Sequence, residues 1–195
     1  MVGYDFDKTI YKRDCSVHFF FYMIFTRIYL LVFFPYYLVV FGLYGIKAIG
    51  KKKFKELMFF FVPWYGEKIY KIVDKFWQKN ANDIFDWYTK QKQDDDIIIS
   101  AGLRFIVEPV AKMLNVKNLI ATNYDVKTGK IIGENCYGRE KRIQFEKIYP
   151  NIHCSAFYSD SFSDLPMMEI SDSAFLVKGE KVYDVTKTIR EKLKN

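Results

Sequence analysis

Hydrophobic and polar positions divide the chain into three zones. Residues 1–13 open with the short apolar run Val2-Gly3-Tyr4, which predicts a strand leading into a turn. From residue 14 to about 93 no strand-like alternation bounded by turns occurs, and the apolar spacing is helical. Ile69, Ile72, Val73, Phe76 and Trp77 fall at i, i+3, i+4, i+7 and i+8, one face of an amphipathic helix. Ile84, Trp87 and Tyr88 resume that spacing beyond a break at Asn80-Ala81-Asn82, and Pro35 and Pro63 mark further helix boundaries. From 94 to 195 short apolar runs alternate with helical stretches, the pattern of a parallel sheet wound with helices. Ile97-Ile98-Ile99 suits a buried parallel strand. Asn118–Thr122, Ala156–Ser159 and Ala174–Val177 predict three more strands. Tyr124 to Ile132 predicts a hairpin turning at Lys127-Thr128-Gly129, and a final helix is expected from about Val185 to Lys194. The expectation is an α/β chain whose core comprises residues 1–13 and 94–195, with 14–93 inserted as an all-helical cap. An insert there lies over the C-terminal ends of the strands, where open α/β sheets bind ligands.

Composition narrows the partners. The 195 residues suit one domain with a sizeable insertion, and 50% hydrophobic and 19% aromatic content supply ample core. A net charge of +7 favours anionic partners: phosphorylated substrates or an anionic membrane surface. Without a base-reading helix or an RNA-binding aromatic signature, no nucleic-acid partner is expected, and no protein partner is predicted. Cys15, Cys136 and Cys154 are far apart with no CxxC pair, which argues against zinc or a disulfide framework and for a reducing, cytoplasmic setting. His18 and His153 fit no zinc-hydrolase pattern. The first strand starts at the initiator Met, so no cleavable signal peptide is expected.

Candidate chemistry begins where the first strand ends. Asp5 and Asp7 stand at i and i+2 with Thr9 at i+4, and gathering carboxylates here costs repulsion unless a cation or a function offsets it. One reading is a phosphoryl-transfer centre, with Asp5 as nucleophile and Asp7 passing a proton to and from the leaving oxygen. The other is a surface turn with two solvated acids and Thr9 as a helix cap. Ser100 ends the Ile97–Ile99 strand; its hydroxyl, with the N–H groups of Ala101 and Gly102 at a helix N-terminus, can hold a phosphate, or Ser100 simply caps that helix. Lys141, in Gly138-Arg139-Glu140-Lys141, can bridge phosphate and nucleophile as a point charge; spacing alone does not separate it from Arg139. Asp160 and Asp164 bracket serines after the Ala156–Ser159 strand and suit Mg²⁺, which takes few protein carboxylates; Asp164 as a helix cap is the alternative.

In order, Asp5-Phe6-Asp7-Lys8-Thr9, the serine after Ile97–Ile99, the lysine of Gly138–Lys141 and Ser159–Asp164 resemble the four signatures of the haloacid dehalogenase-like superfamily. The resemblance spans nearly the whole chain. Its nearest branch is the phosphoserine-phosphatase-like hydrolases with a helical cap, and within it the small bacterial phosphatidylglycerophosphatase-like phosphatases. It implies a Rossmann-like parallel sheet with helices on both faces. It further implies Asp5 as nucleophile, Asp7 as general acid/base, Thr9, Ser100, Ala101, Gly102 and Lys141 on phosphate, and Asp160 on Mg²⁺. The Asp7 carbonyl is implied as another metal ligand, with Asp164 supporting the site. In the phosphoserine enzymes an acid near Asp14 reads the substrate amine; here Asp14 equally serves as a helix cap. The chain departs from the pattern at Ala101-Gly102-Leu103, where relatives often carry serine-proline, and at Lys8, where many carry glycine. The activity implied is Mg²⁺-dependent phosphomonoester hydrolysis through an aspartyl-phosphate, on a lipid-linked or small-molecule phosphate. The competing classes are a receiver-like phosphate-accepting regulatory domain and a catalytically inactive membrane-interaction protein.

Ile28 to Ile46 is nineteen residues without a charge, which as a helix spans about 28 Å. A single crossing would put Asp5 and Ser100 on opposite sides of a bilayer. Two arrangements stay open: an internally packed cap, or a cap dipping into one leaflet at the inner face of the membrane. In the second, Lys47, Lys51, Lys52, Lys53 and Lys55 are expected at anionic headgroups.

Overall fold

The computed structural model describes residues 1–192. Its strands are β1 (Val2–Tyr4), β2 (Ile97–Leu103), β3 (Asn118–Thr122), β4 (Tyr124–Asp125), β5 (Lys130–Ile131), β6 (Cys154–Ser159), β7 (Ser171–Lys178) and β8 (Lys181–Asp184). Six of them form one sheet in the order β3-β2-β1-β6-β7-β8, parallel except for β8, and β4-β5 is a separate hairpin. Between β1 and β2 run α1 (Cys15–Thr26), a 3₁₀ stretch (Ile28–Phe33), α2 (Phe34–Gly45), α3 (Lys51–Met58), α4 (Lys68–Asn80) and α5 (Asp86–Gln91). The remaining helices are α6 (Arg104–Met113), α7 (Arg139–Ile148), α8 (Leu165–Glu169) and α9 (Thr186–Lys192).

Alternation along β2 explains the layering. Ile98 points into the core that holds Tyr4, Phe105 and the insert, whereas Ile97 and Ile99 point into a second core with Phe145, Met167 and Ile189. The run of three isoleucines thus serves helices on both faces. The insert is no detached body: Phe19 of α1 packs edge-on to Phe105 of α6, and the Trp77 indole N–H donates to the Ile106 carbonyl at 2.7 Å. Phe6, just past β1, meets Trp77 edge-on with ring centroids 5.8 Å apart.

The tail of the chain departs from expectation. The fourth predicted strand is longer than Ala174–Val177 and folds back through Gly179-Glu180 into the unforeseen β8. Gly179 takes φ +63 there, a conformation that suits glycine. The last helix is described as far as Lys192; the expected continuation to 194 lies outside the described residues.

β1 sits in the middle of the sheet, with Tyr4 level with Ile98 of β2 and Tyr158 of β6. The chain leaves β1 and β6 toward opposite edges, so the crevice beyond their C-terminal ends lies at a switch point in strand order. Asp5 emerges there, its N–H bound to the Tyr158 carbonyl at 2.9 Å.

Candidate active site

The crevice is a cleft of about 390 Å³. Asp5, Asp7, Lys141, Asp160 and Asp164 line it from the sheet side, and Asp14, Val17, Tyr44, Phe54 and Lys55 from the insert. Lys141 ties the end of β1 to the segment after β6. Its Nζ donates to Asp5 Oδ1 at 2.5 Å and to Asp164 Oδ2 at 2.7 Å, with all three side chains buried. The Ser159 hydroxyl donates to the same Asp164 oxygen at 2.8 Å. Thr9 fastens the β1 turn to the β6 end: its hydroxyl accepts the Asp160 N–H at 2.8 Å and approaches Asp5 Oδ2 at 3.4 Å. Asp7 Oδ1 accepts the Cys15 N–H at 2.8 Å, which ties it to the first turn of α1.

Burial sets the protonation of these groups. It raises Asp5, and Asp164 and Asp160 add to this against the pull of Lys141, leaving the carboxyl at about 7. Burial, then the charges of Asp14 and Asp5, push Asp7 to about 8, so it holds its proton at neutrality. Burial also raises Asp160, with Lys178 opposing. For Lys141 burial acts downward, yet Asp5 and Asp164 outweigh it and the ammonium is held above its ordinary value.

A model of the haloacid dehalogenase-like hydrolases matches residues 2–169. The chain belongs to that family. A probable phosphatase of Mycobacterium tuberculosis is 37% identical over 95 residues, covering 45% of this chain and 33% of that protein, so the match spans about a third of the relative's length. Among solved structures, a protein of unknown function from Bordetella pertussis Tohama I has a TM-score of 0.74 at 17% identity, covering 87% of this chain and 85% of that one. A phosphoserine phosphohydrolase-like protein from Francisella tularensis gives 0.58 at 18% identity, over 97% and 91%. A phospho-aspartyl intermediate analogue of phosphoserine phosphatase gives 0.53 at 14%, over 98% and 89%. At these identities the likeness is one of fold.

In this haloacid dehalogenase-like hydrolase the expected residues do not all face the cleft. Thr9 and Ser100 are fully buried and do not line the cleft: Thr9 braces the two loops, and Ser100 Oγ accepts the Gly102 N–H at 2.9 Å. Ala101 and Gly102 do not open a helix either. The β2–β3 register slips between Ser100 and Leu103, and α6 begins only at Arg104, so the Gly102 N–H is spent inside the bulge. Ala101 does reach the cleft, but its carbonyl is occupied, by Lys55 Nζ at 2.5 Å and the Thr122 hydroxyl at 2.8 Å. Neither Ser100 nor Asp164 caps a helix with its side chain. Asp14 caps α1, its carboxylate accepting the Val17 N–H at 2.9 Å, and the residue also borders the cleft. Arg139 lines a separate depression with Arg142 and Glu169, so geometry separates it from Lys141.

The α3 lysines divide between cleft and surface, with Lys53 exposed. Lys55 is not at a surface but inside the cleft wall, donating also to Asn135 Oδ1 at 2.7 Å. Lys51 Nζ sits 3.1 Å from the centre of the Tyr137 ring at the cleft rim, and Lys52 Nζ donates to the Gly133 carbonyl at 2.5 Å. Lys51, Phe54, Lys55 and Met58 share one helix face at i, i+3, i+4 and i+7 and line the cleft together. Ser16 also borders the cleft, with a buried hydroxyl that has no hydrogen-bond partner among the described residues.

A divalent cation suits this donor set. Among the described residues no three His, Cys, Asp or Glu side chains form a metal cage by themselves. Mg²⁺ does not require one, since it binds through one or two carboxylates and keeps several waters. Asp164 Oδ1 is buried without a partner, and Asp5, Asp7 and Asp160 are all held above the ordinary carboxylate range. The cleft therefore gathers carboxyl groups whose charged forms a hard cation would favour.

Proposed function

We propose that the chain is a Mg²⁺-dependent phosphomonoester hydrolase working through an aspartyl-phosphate on Asp5. The observation that carries this is the buried Lys141 bridge between Asp5 and Asp164, formed where the termini of β1 and β6 meet. Lys141 and Asp5 are far apart in sequence, and the bridge has no value as a surface ion pair.

Asp5 attacks phosphorus as the ester P–O bond breaks. Lys141 holds one Asp5 oxygen in place and offsets charge on the phosphoryl oxygens, which a loose transition state spreads over all three. Asp7, protonated at neutrality, delivers its proton to the leaving oxygen. The resulting Asp7 carboxylate then takes a proton from the water that opens the aspartyl-phosphate and frees inorganic phosphate. Mg²⁺, held by Asp5, Asp160 and the Asp7 carbonyl with Asp164 in support, would supply further charge neutralisation at the phosphoryl group. Lys51 and Lys55 give the insert side of the cleft a positive wall suited to an anionic substrate.

The test is hydrolysis of a chromogenic phosphate ester with Mg²⁺ and with chelator. Wild type is expected to turn over only with the metal, and Asp5→Asn to lose both turnover and acid-stable phosphoenzyme. Ordinary activity in Asp5→Asn would remove Asp5 from the mechanism.

A further inference from the structure

The helical insert turns an apolar face to solvent that no other described residue covers. Phe21 and Phe25 of α1, Val32 of the 3₁₀ stretch and Leu38 of α2 are all exposed, Phe25 and Val32 at 75% and 77%. Between α1 and α2 such side chains frame a groove of about 280 Å³ lined only by aromatic and aliphatic residues. A contiguous exposed apolar patch of this kind marks a candidate interaction site.

Residues 28–45 are long and apolar enough to cross a bilayer. In this fold they form the 3₁₀ stretch followed by α2, packed along one side. Leu30, Tyr37 and Val40 are buried, Phe33 meets Phe60 with centroids 5.0 Å apart, and Tyr44 stacks on Phe54 at 4.1 Å. Contacts at the start, middle and end thus hold the segment flat against the insert, with its other side free.

Charge indicates what covers that free side. No Asp or Glu occurs from Cys15 through Lys55, and the basic residues Arg27 and Lys47 stand at the two ends of the uncharged run. A second copy of the chain docked face to face would press these like-charged rims together, whereas anionic headgroups complement them. We propose that the α1–α2 face seats in one leaflet of an anionic membrane, lying in the plane of the interface with Arg27 and Lys47 among the headgroups. Val17 and Tyr44, which border the catalytic cleft, lie about one turn from the groove residues Phe21 and Phe41 on the same two helices. Seating this face therefore sets the mouth of the cleft beside the headgroups. The docking does not depend on the phosphatase reading.

Flotation with phosphatidylcholine vesicles, with and without phosphatidylserine, tests it. Wild type is expected to float with the anionic vesicles and to be released by high salt. The double variant Val32→Glu, Leu38→Glu should bind at least about tenfold more weakly, with an unchanged near-ultraviolet circular dichroism spectrum showing that the fold is intact. Wild type that stays with the soluble fraction, or a double variant that floats as well as wild type, overturns the proposal. A wild-type dimer in sedimentation that the double variant turns into monomer also overturns it, since a second copy would then be the cover.

Discussion

Lys141 compensates two buried carboxylates at once, so its removal reaches further than the loss of one contact. Lys141→Met would leave Asp5 and Asp164 facing each other without a cation. We expect a stability loss of about 3 kcal/mol, measured by urea unfolding, together with loss of turnover. Asp7→Asn keeps the shape but removes the proton, so kcat should fall by roughly 10²–10⁴ while rapid acid quench finds phosphoenzyme accumulating. Spacing alone did not separate Lys141 from Arg139, but the acids behind these predictions were legible in the sequence because acids at i and i+2 after a strand, and acids bracketing serines after another, are poor fold-building chemistry. Lys51 and Lys55 were not. In a chain with 30 Lys and Arg, a lysine that crosses 46 residues to the Ala101 carbonyl looks like any other surface cation until the insert is docked.

Among the elements, the bulge that ends β2 is the least forgiving. A Cβ on Gly102 would lie 2.7 Å from Val107 Cγ2 and 3.0 Å from both Cys15 Sγ and Ser100 Oγ. Gly102→Ala should therefore cost about 1–3 kcal/mol, read as a lower melting temperature. It should also lower kcat, because displacing Cys15 disturbs the N–H that Asp7 accepts. Strands and helices with a buried face were readable from period alone. The bulge was not, since Ser-Ala-Gly reads equally as a helix entry, and the register slip depends on pairing with β3. β8 escaped because all four of its residues are exposed and carry no apolar alternation. Lys8 shows the reverse case: it takes φ +59, so the position where many members carry glycine is held here by a side chain in a left-handed conformation.

For the whole molecule, the buried acids tie stability to pH and to metal. Asp5 at about 7 and Asp7 at about 8 lie above their unfolded values of about 3.9. Between about pH 4 and pH 8 the folded state thus binds more protons than the unfolded one, and stability falls as pH rises through this window. In chelator the melting temperature should drop from about pH 5 to about pH 8 on account of these two groups. Mg²⁺ competes with the protons, so the rise in melting temperature that it produces should be small at the acid end and grow toward pH 8. Differential scanning fluorimetry at both pH values decides this; an equal Mg²⁺ effect at each would detach the metal from the acids.

The shared burial of Trp77 and Phe19 with Phe6, Phe105 and Ile106 also bears on how such a chain diversifies. A helical insert sutured into the sheet's own interior is no interchangeable cartridge. A foreign one would leave an indole-sized void over α6, and new ligand preferences must come from altering single side chains at the rim, such as Tyr44 or Lys51, on helices that stay where they are.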